Sequence, residues 1–546
     1  MSFLPSHPRP VIIQGGMGVG ISSWQLAQAV SRRGQLGVVS GTALDSVVAR
    51  RLQDGDPGGH VLRALEHFPL PAMAERVLSR YHLPEGRDGR PYAPIPRLAV
   101  KRSRAGDELS VVGNFVEVWL AKAGHDGAIG INFLEKIQMA TPAAAYGAML
   151  AGVDVVLMGA GIPRDIPHLL DELAAHRPGS VQVPVSGGDA QTVVLDPAVL
   201  EADHLPPLKR PSFLAIISSH VLAQYLNRED SIRPEGFVVE GPQAGGHSAP
   251  PRGRLTLDDT GQPVYGPRDE ANLAALVAIG LPFWLAGGYG EPNRVREALQ
   301  AGAAGVQVGT LFALSRESGL DAPLRAQTLG KMRDGSLEVR NDPAASPTGF
   351  PFKVIQAEGT LAEDEVYEQR PRLCDLGYLR TPYTRAGGAV GYRCPAEPVD
   401  VYIRKGGTAE GAVGAKCLCN ALMADVGMGQ RRKDGYQELP LMTLGADLAG
   451  ARRLDAEQGS VAEGWTATEA VDWLLREVET RPSISAQPAD GTERLNSAES
   501  LNSAEPSSSA ESLNSTESLN STESLNSTEP SSSDHWVKAF AANAVV

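Results

Sequence analysis

The sequence predicts an α/β fold: a (β/α)8 TIM barrel over residues 1–320 with a helical insertion, then a C-terminal extension over 321–480 and a low-complexity, disordered tail over 481–546. Three observations predict it. Eight short runs of β-branched or small residues precede residue 310, and most are followed by a turn signal and a stretch of helical periodicity. Eight such units within roughly 300 residues suit a closed barrel better than an open sheet. From Ser483 onward the chain is mainly Ser, Asn, Glu and Thr around copies of SLNSTE, with Leu as almost its only apolar residue. That composition cannot bury a core.

The first strand is Val11 to Gln14, followed by Gly15 and Gly16. Ser22 or Ser23 then caps a helix that runs through Arg33 and stops at Gly34. Leu36 to Ser40, Ala128 to Asn132, Val153 to Met158, Phe213 to Ile217 and Phe237 to Glu240 are strands two to six. Pro282 to Ala286 and Gly305 to Val308 complete the set, with helices expected over Asp269 to Ile279 and Asn293 to Ala301. Two stretches interrupt the repeat: a helical insertion from about Asp54 to Gly124, and a loop from about Gly179 to Arg210 rich in Gly, Pro and Asp. Either is placed to cover an active site. Past Leu320, the segments PTGFPFK, CDLGYLRTPY and YRCPAEPVDVYIRKGG read as a wrapping extension, closed by an amphipathic helix over Thr466 to Val478.

Composition narrows the function. With 546 residues, 42% of them hydrophobic and 21% charged, the chain has the material for a large buried core. A net charge of -14 with scattered Lys and Arg argues against a nucleic-acid partner. The N-terminus lacks the pattern of a signal peptide, and no window reaches a membrane span, so a cytoplasmic protein is expected. Three N-x-T sequons, at Asn514, Asn520 and Asn526, then carry no glycan. All four cysteines, Cys374, Cys394, Cys417 and Cys419, lie beyond the barrel. Their spacings match no standard metal knuckle, so reduced thiols and no metal site are expected.

In a parallel barrel, chemistry gathers at the carboxyl ends of the strands. After strand seven comes Gly287-Gly288-Tyr289-Gly290, and after strand eight Gly309-Thr310. Without a Cβ, peptide N–H groups there can approach a phosphate, whereas the alternative reading is merely two tight turns. His247 follows strand six after Ala244-Gly245-Gly246 and titrates near neutrality when unperturbed. His220 also follows a strand, but as the first residue of a helix it is read as structural and kept in reserve. Asn132 and Glu240 end strands three and six, where they either face a ligand or tie down loops. His60 and His125 receive no role.

IIQGGMGVGIS, FVVEGPQAGGH and WLAGGYG followed by GAAGVQVGT, in that order, resemble the nitronate monooxygenase family, formerly called 2-nitropropane dioxygenases. The extension with PTGFPFK and YRCPAEP is similar to that of the family's larger members. The resemblance implies non-covalent FMN at the barrel mouth, with Gln14, Gly15, Gly16 and Met17 near the isoalloxazine and Gly245 and Gly246 lining the flavin. It further implies that Gly287, Gly288, Gly309 and Thr310 hold the phosphate with Gln307 close by, and that His247 is the catalytic histidine. Here Ser248-Ala249-Pro250-Pro251 follows that histidine, where the family usually has Gly. The expected reaction is oxidation of an alkyl nitronate with O2. The alternatives are NAD(P)H-dependent reduction of an enoyl thioester, as in related enoyl-ACP reductases, and a non-catalytic flavin-binding accessory protein. The substrate is a small molecule in either enzymatic case, and assembly into a homo-oligomer is left open.

Overall fold

Ser23 Oγ accepts a hydrogen bond from Leu26 N at 3.2 Å, and that cap starts the first helix, Trp24–Arg32, on the way from the first to the second strand. The computed structural model describes Leu4 and residues 7–479. The expected tail and its sequons lie outside the described residues.

The strands in chain order are β1 (Ile12–Gln14), β2 (Gly37–Ser40), β3 (Ile129–Leu134), β4 (Val155–Gly159), β5 (Gly179–Val183), β6 (Gln191–Leu195) and β7 (Ser212–Ile217). They continue with β8 (Gly236–Glu240), β9 (Phe283–Ala286), β10 (Gly305–Val308), β11 (Val339–Asp342), β12 (Phe352–Ile355), β13 (Thr381–Thr384) and β14 (Val390–Arg393). Eight form one parallel sheet in the order β1-β10-β9-β8-β7-β4-β3-β2. The two ends of that order meet through a parallel bridge between Ile13 and Leu36, with Gln14 N donating to Leu36 O at 3.0 Å and Leu36 N to Ile12 O at 3.1 Å. The sheet is therefore closed, and a closed parallel sheet wrapped by helices is a (β/α)8 barrel.

Ile13, Val38, Leu157, Leu214, Val238 and Trp284 fill its interior, each fully buried. The indole of Trp284 donates to Pro10 O at 2.9 Å, so the largest core side chain also satisfies its one polar group. All eight strands sit where the sequence places them, to within two or three residues at their ends. The segment expected as a loop from Gly179 is instead the antiparallel hairpin β5–β6, whose alternating Val181, Val183, Val193 and Leu195 are buried.

The insertion supplies helices His60–Leu65, Pro71–Tyr81 and Arg104–Lys122. Its irregular stretch is tied to the extension: Arg380 Nη2 donates to Leu98 O at 2.7 Å, and Val100 N to Tyr392 Oη at 2.7 Å. The extension adds the hairpins β11–β12 and β13–β14. Its last helix, Ala467–Glu479, buries Ala467, Ala470, Val471 and Leu474 completely against the helices Pro292–Gln300 and Trp24–Arg32. Full burial is worth about 1.5–3 kcal/mol for each of Val471 and Leu474, and Arg33–Asp472 and Arg296–Glu477 pair across the same contact. Among the described residues no helix is long and apolar enough to cross a membrane.

Candidate active site

Gln14, at the carboxyl end of β1, turns its side chain away from the mouth. Its Oε1 accepts from Val38 N at 2.9 Å, and its Nε2 donates to Ser22 Oγ at 2.8 Å and to Gly15 O. Ser22 Oγ in turn accepts from Met17 N at 2.9 Å and donates to Gly15 O at 2.8 Å. The glycine turn is thereby locked from behind, and Gln14 acts on the mouth only through its backbone.

Two amides flank that turn. A Cβ at Gly16 would lie 2.3 Å from Asn132 Cβ, so only glycine admits Asn132, whose Nδ2 donates to Gly16 O at 3.1 Å. On the other side, a Cβ at Gly15 would lie 3.5 Å from Gln307 Cγ. Asn132 Oδ1 and Gln307 Oε1 are both buried without a hydrogen-bond partner among the described residues. Buried polar atoms left unpaired at a strand end are costly, and they fit a site that receives hydrogen-bond donors from a bound molecule.

Gly287 and Gly288 follow β9 with φ of 87° and 82°, a left-handed backbone that disfavours side chains. A Cβ on Gly287 would lie 2.8 Å from Ala244 N, so the loop after β9 touches the loop after β8. Across from them, the Met17 sulfur lies 3.4 Å from the position of a Cβ on Gly309. Gly15, Gly16, Met17, Gln307, Gly309 and the Gly287–Gly288 pair thus surround the same end of the barrel.

The extension comes over this end. Gly246 N donates to Thr443 Oγ1 at 2.9 Å, Gly445 N to Thr310 Oγ1 at 3.0 Å and Ala446 N to Gln243 O at 3.0 Å. A Cβ on Gly245 would lie 2.8 Å from Gly445 N and from Leu444 C, a collision with backbone. Gly245 and Gly246 therefore seat the strap 443–446. Thr310 accepts from that strap and keeps its own O–H to donate.

The hairpin β11–β12 is the second arm. Ser248 N donates to Pro351 O at 2.9 Å and Lys353 N to Gly246 O at 3.0 Å, and His247 makes an antiparallel bridge with Phe352. The His247 ring meets the Phe352 ring edge-on at 4.8 Å, and its Nε2 lies 2.7 Å from Ser346 Oγ. Burial, with Lys136 adding a smaller push, lowers the imidazole to about 4. Lys136 stands over the Phe350 ring at 4.9 Å. Lys353, 2% exposed, donates through Nζ to Pro242 O at 2.6 Å and to Ser248 Oγ at 2.8 Å. Burial raises Glu240 at the end of β8 to about 7 and lowers Lys353 to about 8, each opposed by the other's charge.

Ser346, Thr348, Lys353 and the strap are the residues that sequence reasoning left out. The segment PTGFPFK, which contains Thr348 and Lys353, was the available signal. His220 opens the helix His220–Leu226, and its Nδ1 accepts from Asn272 N at 3.3 Å, a tie between two loops. The four cysteines are free thiols, and burial pushes Cys417 up to about 11 and Cys394 to about 12. Among the described residues no group of His, Cys, Asp or Glu is arranged to hold a metal.

Residues 210–341 match the family model described as nitronate monooxygenase. A curated protein of Mycobacterium tuberculosis (strain ATCC 25618 / H37Rv), named (3aS,4S,5R,7aS)-5-hydroxy-7a-methyl-1-oxo-octahydro-1H-indene-4-carboxyl-CoA dehydrogenase, is 25% identical over 232 residues. The match covers 39% of this chain and 60% of that protein, so the chain spans less than two thirds of the relative's length. A solved nitroalkane oxidase from Streptomyces ansochromogenes aligns with 87% of this chain and 96% of its own at 15% identity and a TM-score of 0.42. The enoyl reductase domain of MlnA from the macrolactin biosynthesis cluster of Bacillus amyloliquefaciens aligns with 86% of this chain and 94% of its own, at 12% identity and a TM-score of 0.43. The stretch that matches the nitronate monooxygenase family model, residues 210–341, includes His247, the glycine pair after β9 and the Gly309 turn after β10.

Proposed function

We propose that this protein is an FMN-dependent oxidoreductase whose reacting centre is the barrel mouth beside His247. The observation that carries the reading is the glycine turn at Gly15 and Gly16, flanked by the unpaired amide oxygens of Asn132 and Gln307 and faced by Gly287, Gly288 and Gly309. Those features fit a flat polar ring joined to a phosphate. Gly287, Gly288, Gly309 and the Thr310 hydroxyl would take the phosphate; Gly15, Gly16, Met17 and Gln307 would take the ring. Gln14 and Gly246 contribute by position alone, since their polar groups are engaged within the protein. Bound FMN supplies the electron transfer, and the protein supplies binding and orientation.

In the first reading the substrate is an alkyl nitronate and O2 the acceptor. The family match supports it, and Lys136 places positive charge beside His247 for an anionic substrate. A second reading, NAD(P)H-dependent reduction of an enoyl thioester, draws on the curated relative named as a carboxyl-CoA dehydrogenase. It also suits the Glu240 and Lys353 pair, which holds exchangeable protons near neutral pH.

The test is the absorbance spectrum of the purified full chain, followed by anaerobic reduction with ethyl nitronate in parallel with NADPH. Bleaching by the nitronate, with O2 uptake that needs no nicotinamide, supports the first reading; bleaching by NADPH alone supports the second. A colourless protein that refuses added FMN overturns both.

A further inference from the structure

Along β8 the side chains alternate across the barrel wall. Phe237 and Val239 pack in the outer core beneath the helices, and Val238 lies in the barrel interior. Glu240, two residues past Val238, therefore points inward, at the end of the strand where the mouth begins. In register it stands opposite Ala286 of β9, and Ala286 stands opposite Gln307 of β10. Ala286 belongs to the same interior set, and Gln307 lies between Val306 and Val308, which both face the outer core. One row at the floor of the mouth thus reads Gln307, Ala286, Glu240. Its two polar positions are two strand spacings apart, about 10 Å, with a single methyl group between them.

No described residue donates a hydrogen bond to the Glu240 carboxyl. Lys353 Nζ donates to Pro242 O at 2.6 Å and to Ser248 Oγ at 2.8 Å, and it acts on Glu240 through its charge alone. Lys136 acts on His247 instead. Glu240 is half-buried, so the donor left to its carboxylate is water at the open end of the barrel. A molecule lying across this row removes that water. An ionised carboxylate covered without a donor is costly, whereas a carboxylic acid covered beside an acceptor is satisfied. Burial already raises the group to about 7 against the pull of Lys353. Gln307 Oε1 and Asn132 Oδ1 are unpaired acceptors at the same end, and Glu240 as an acid adds an O–H donor to them.

We propose that Glu240 is a binding residue of the mouth that meets the bound flavin ring as a carboxylic acid, so that FMN binding is coupled to uptake of one proton at this side chain. The inference rests on the proposed flavin reading and adds to it a residue and a charge state. The acid form donates to an acceptor atom of the ring, and the ionised form loses its water and gains no bond. The sign follows from this. Below about 7 Glu240 already holds its proton, and binding takes up none; above about 7 each binding event draws one from solution. Affinity for FMN therefore falls by up to about tenfold per pH unit above that value.

The experiment titrates the flavin-free full chain with FMN across pH 6 to pH 9, read by quenching of flavin fluorescence. Calorimetric titration at pH 8 in two buffers of different ionisation enthalpy counts the protons taken up. Wild type is expected to take up close to one proton. Glu240→Gln keeps a donor but cannot ionise, so it should take up none and lack the fall in affinity above about 7. The phosphate of FMN titrates in both proteins and cancels from their difference. No uptake in wild type overturns the inference, as does an equal uptake in Glu240→Gln. Should Glu240→Gln fail to fold, Glu240→Ala is the second variant and should also lose the uptake; if neither folds, the wild-type count decides. A chain that binds no FMN at any pH overturns the flavin reading and this inference with it. A chain that binds FMN with the same pH dependence as Glu240→Gln overturns this inference alone.

Discussion

Lys353 Nζ donates to Ser248 Oγ at 2.8 Å, across 105 residues of sequence, and so fastens the residue next to His247 to the strand β12 of the extension. The same ammonium holds Pro242 O at 2.6 Å, so both ends of the loop from β8 to His247 hang on one side chain. A cation 2% exposed keeps its charge only where carbonyl, hydroxyl and carboxylate groups surround it, and here Glu240 supplies the carboxylate charge.

Lys353→Met therefore removes both anchors and leaves Glu240 without its cation. Stability is expected to fall by about 1–3 kcal/mol, the range for leaving the buried acceptors Pro242 O and Ser248 Oγ without their donor. Turnover should fall at the same time because His247 is no longer held. Urea denaturation measures the first effect, and an unchanged midpoint would show that the loop is fastened elsewhere.

His247→Ala is expected to keep its bound flavin, since no proposed phosphate contact involves the imidazole, while kcat falls by about 10²-fold or more. Flavin absorbance per chain and steady-state turnover are read on one preparation. Full activity in the variant would remove His247 from the chemistry.

Gly245 is where the barrel admits the extension. A methyl group there would meet Gly445 N and Leu444 C, each at 2.8 Å, and backbone cannot swing aside as a side chain can. Gly245→Ala should cost about 1–3 kcal/mol of overpacking and loosen the strap 443–446, with loss of bound flavin. Gly266→Ala is the control, because nothing lies within 4 Å of its added methyl group and its φ is ordinary, -134°. Equal stability and flavin content in the two variants would show that the strap does not close the site.

The barrel was legible because its strands are local: each β-branched run of four to six residues, such as Phe213 to Ile217, announces itself within its own window. The hairpin β5–β6 carried the same period-two signal in Val181, Val183, Val193 and Leu195, but the Gly, Pro and Asp around it outweighed that signal. Gly287, Gly288 and Gly309 were legible as loop glycines at the barrel mouth from their place after the last two strands. Ser346 and Lys353 were not, because their roles depend on partners 99 to 111 residues away where only the closed fold brings them together, as in the contact of His247 with Ser346 across 99 residues, and Thr348 reaches the histidine only through Ser346. Gln14 shows the converse, a strand-end residue whose amide turns inward to Val38 and Ser22.

Asp425 predicts a pH dependence. Its carboxyl is 2% exposed and lines a small cavity with Met17, Ile21, Thr328, Met442 and Leu444. Leu441 N donates to Oδ1 at 3.0 Å, and burial still raises the group from 3.8 to about 8. The folded protein thus holds a proton that the unfolded chain releases at lower pH. The resulting stabilisation is fully present below about 3.8 and is lost as pH rises through about 8, with a slope of about -1.4 kcal/mol per pH unit between those values. Asp425→Asn keeps the acceptor at Oδ1 but does not titrate, so its stability should fall less between pH 5 and pH 8 than that of wild type. Glu240, raised to about 7, has the same sign and remains in both proteins, so the difference between the two curves isolates Asp425. Denaturant midpoints at four pH values measure it, and parallel curves would show that the Asp425 carboxyl is ionised in the folded protein.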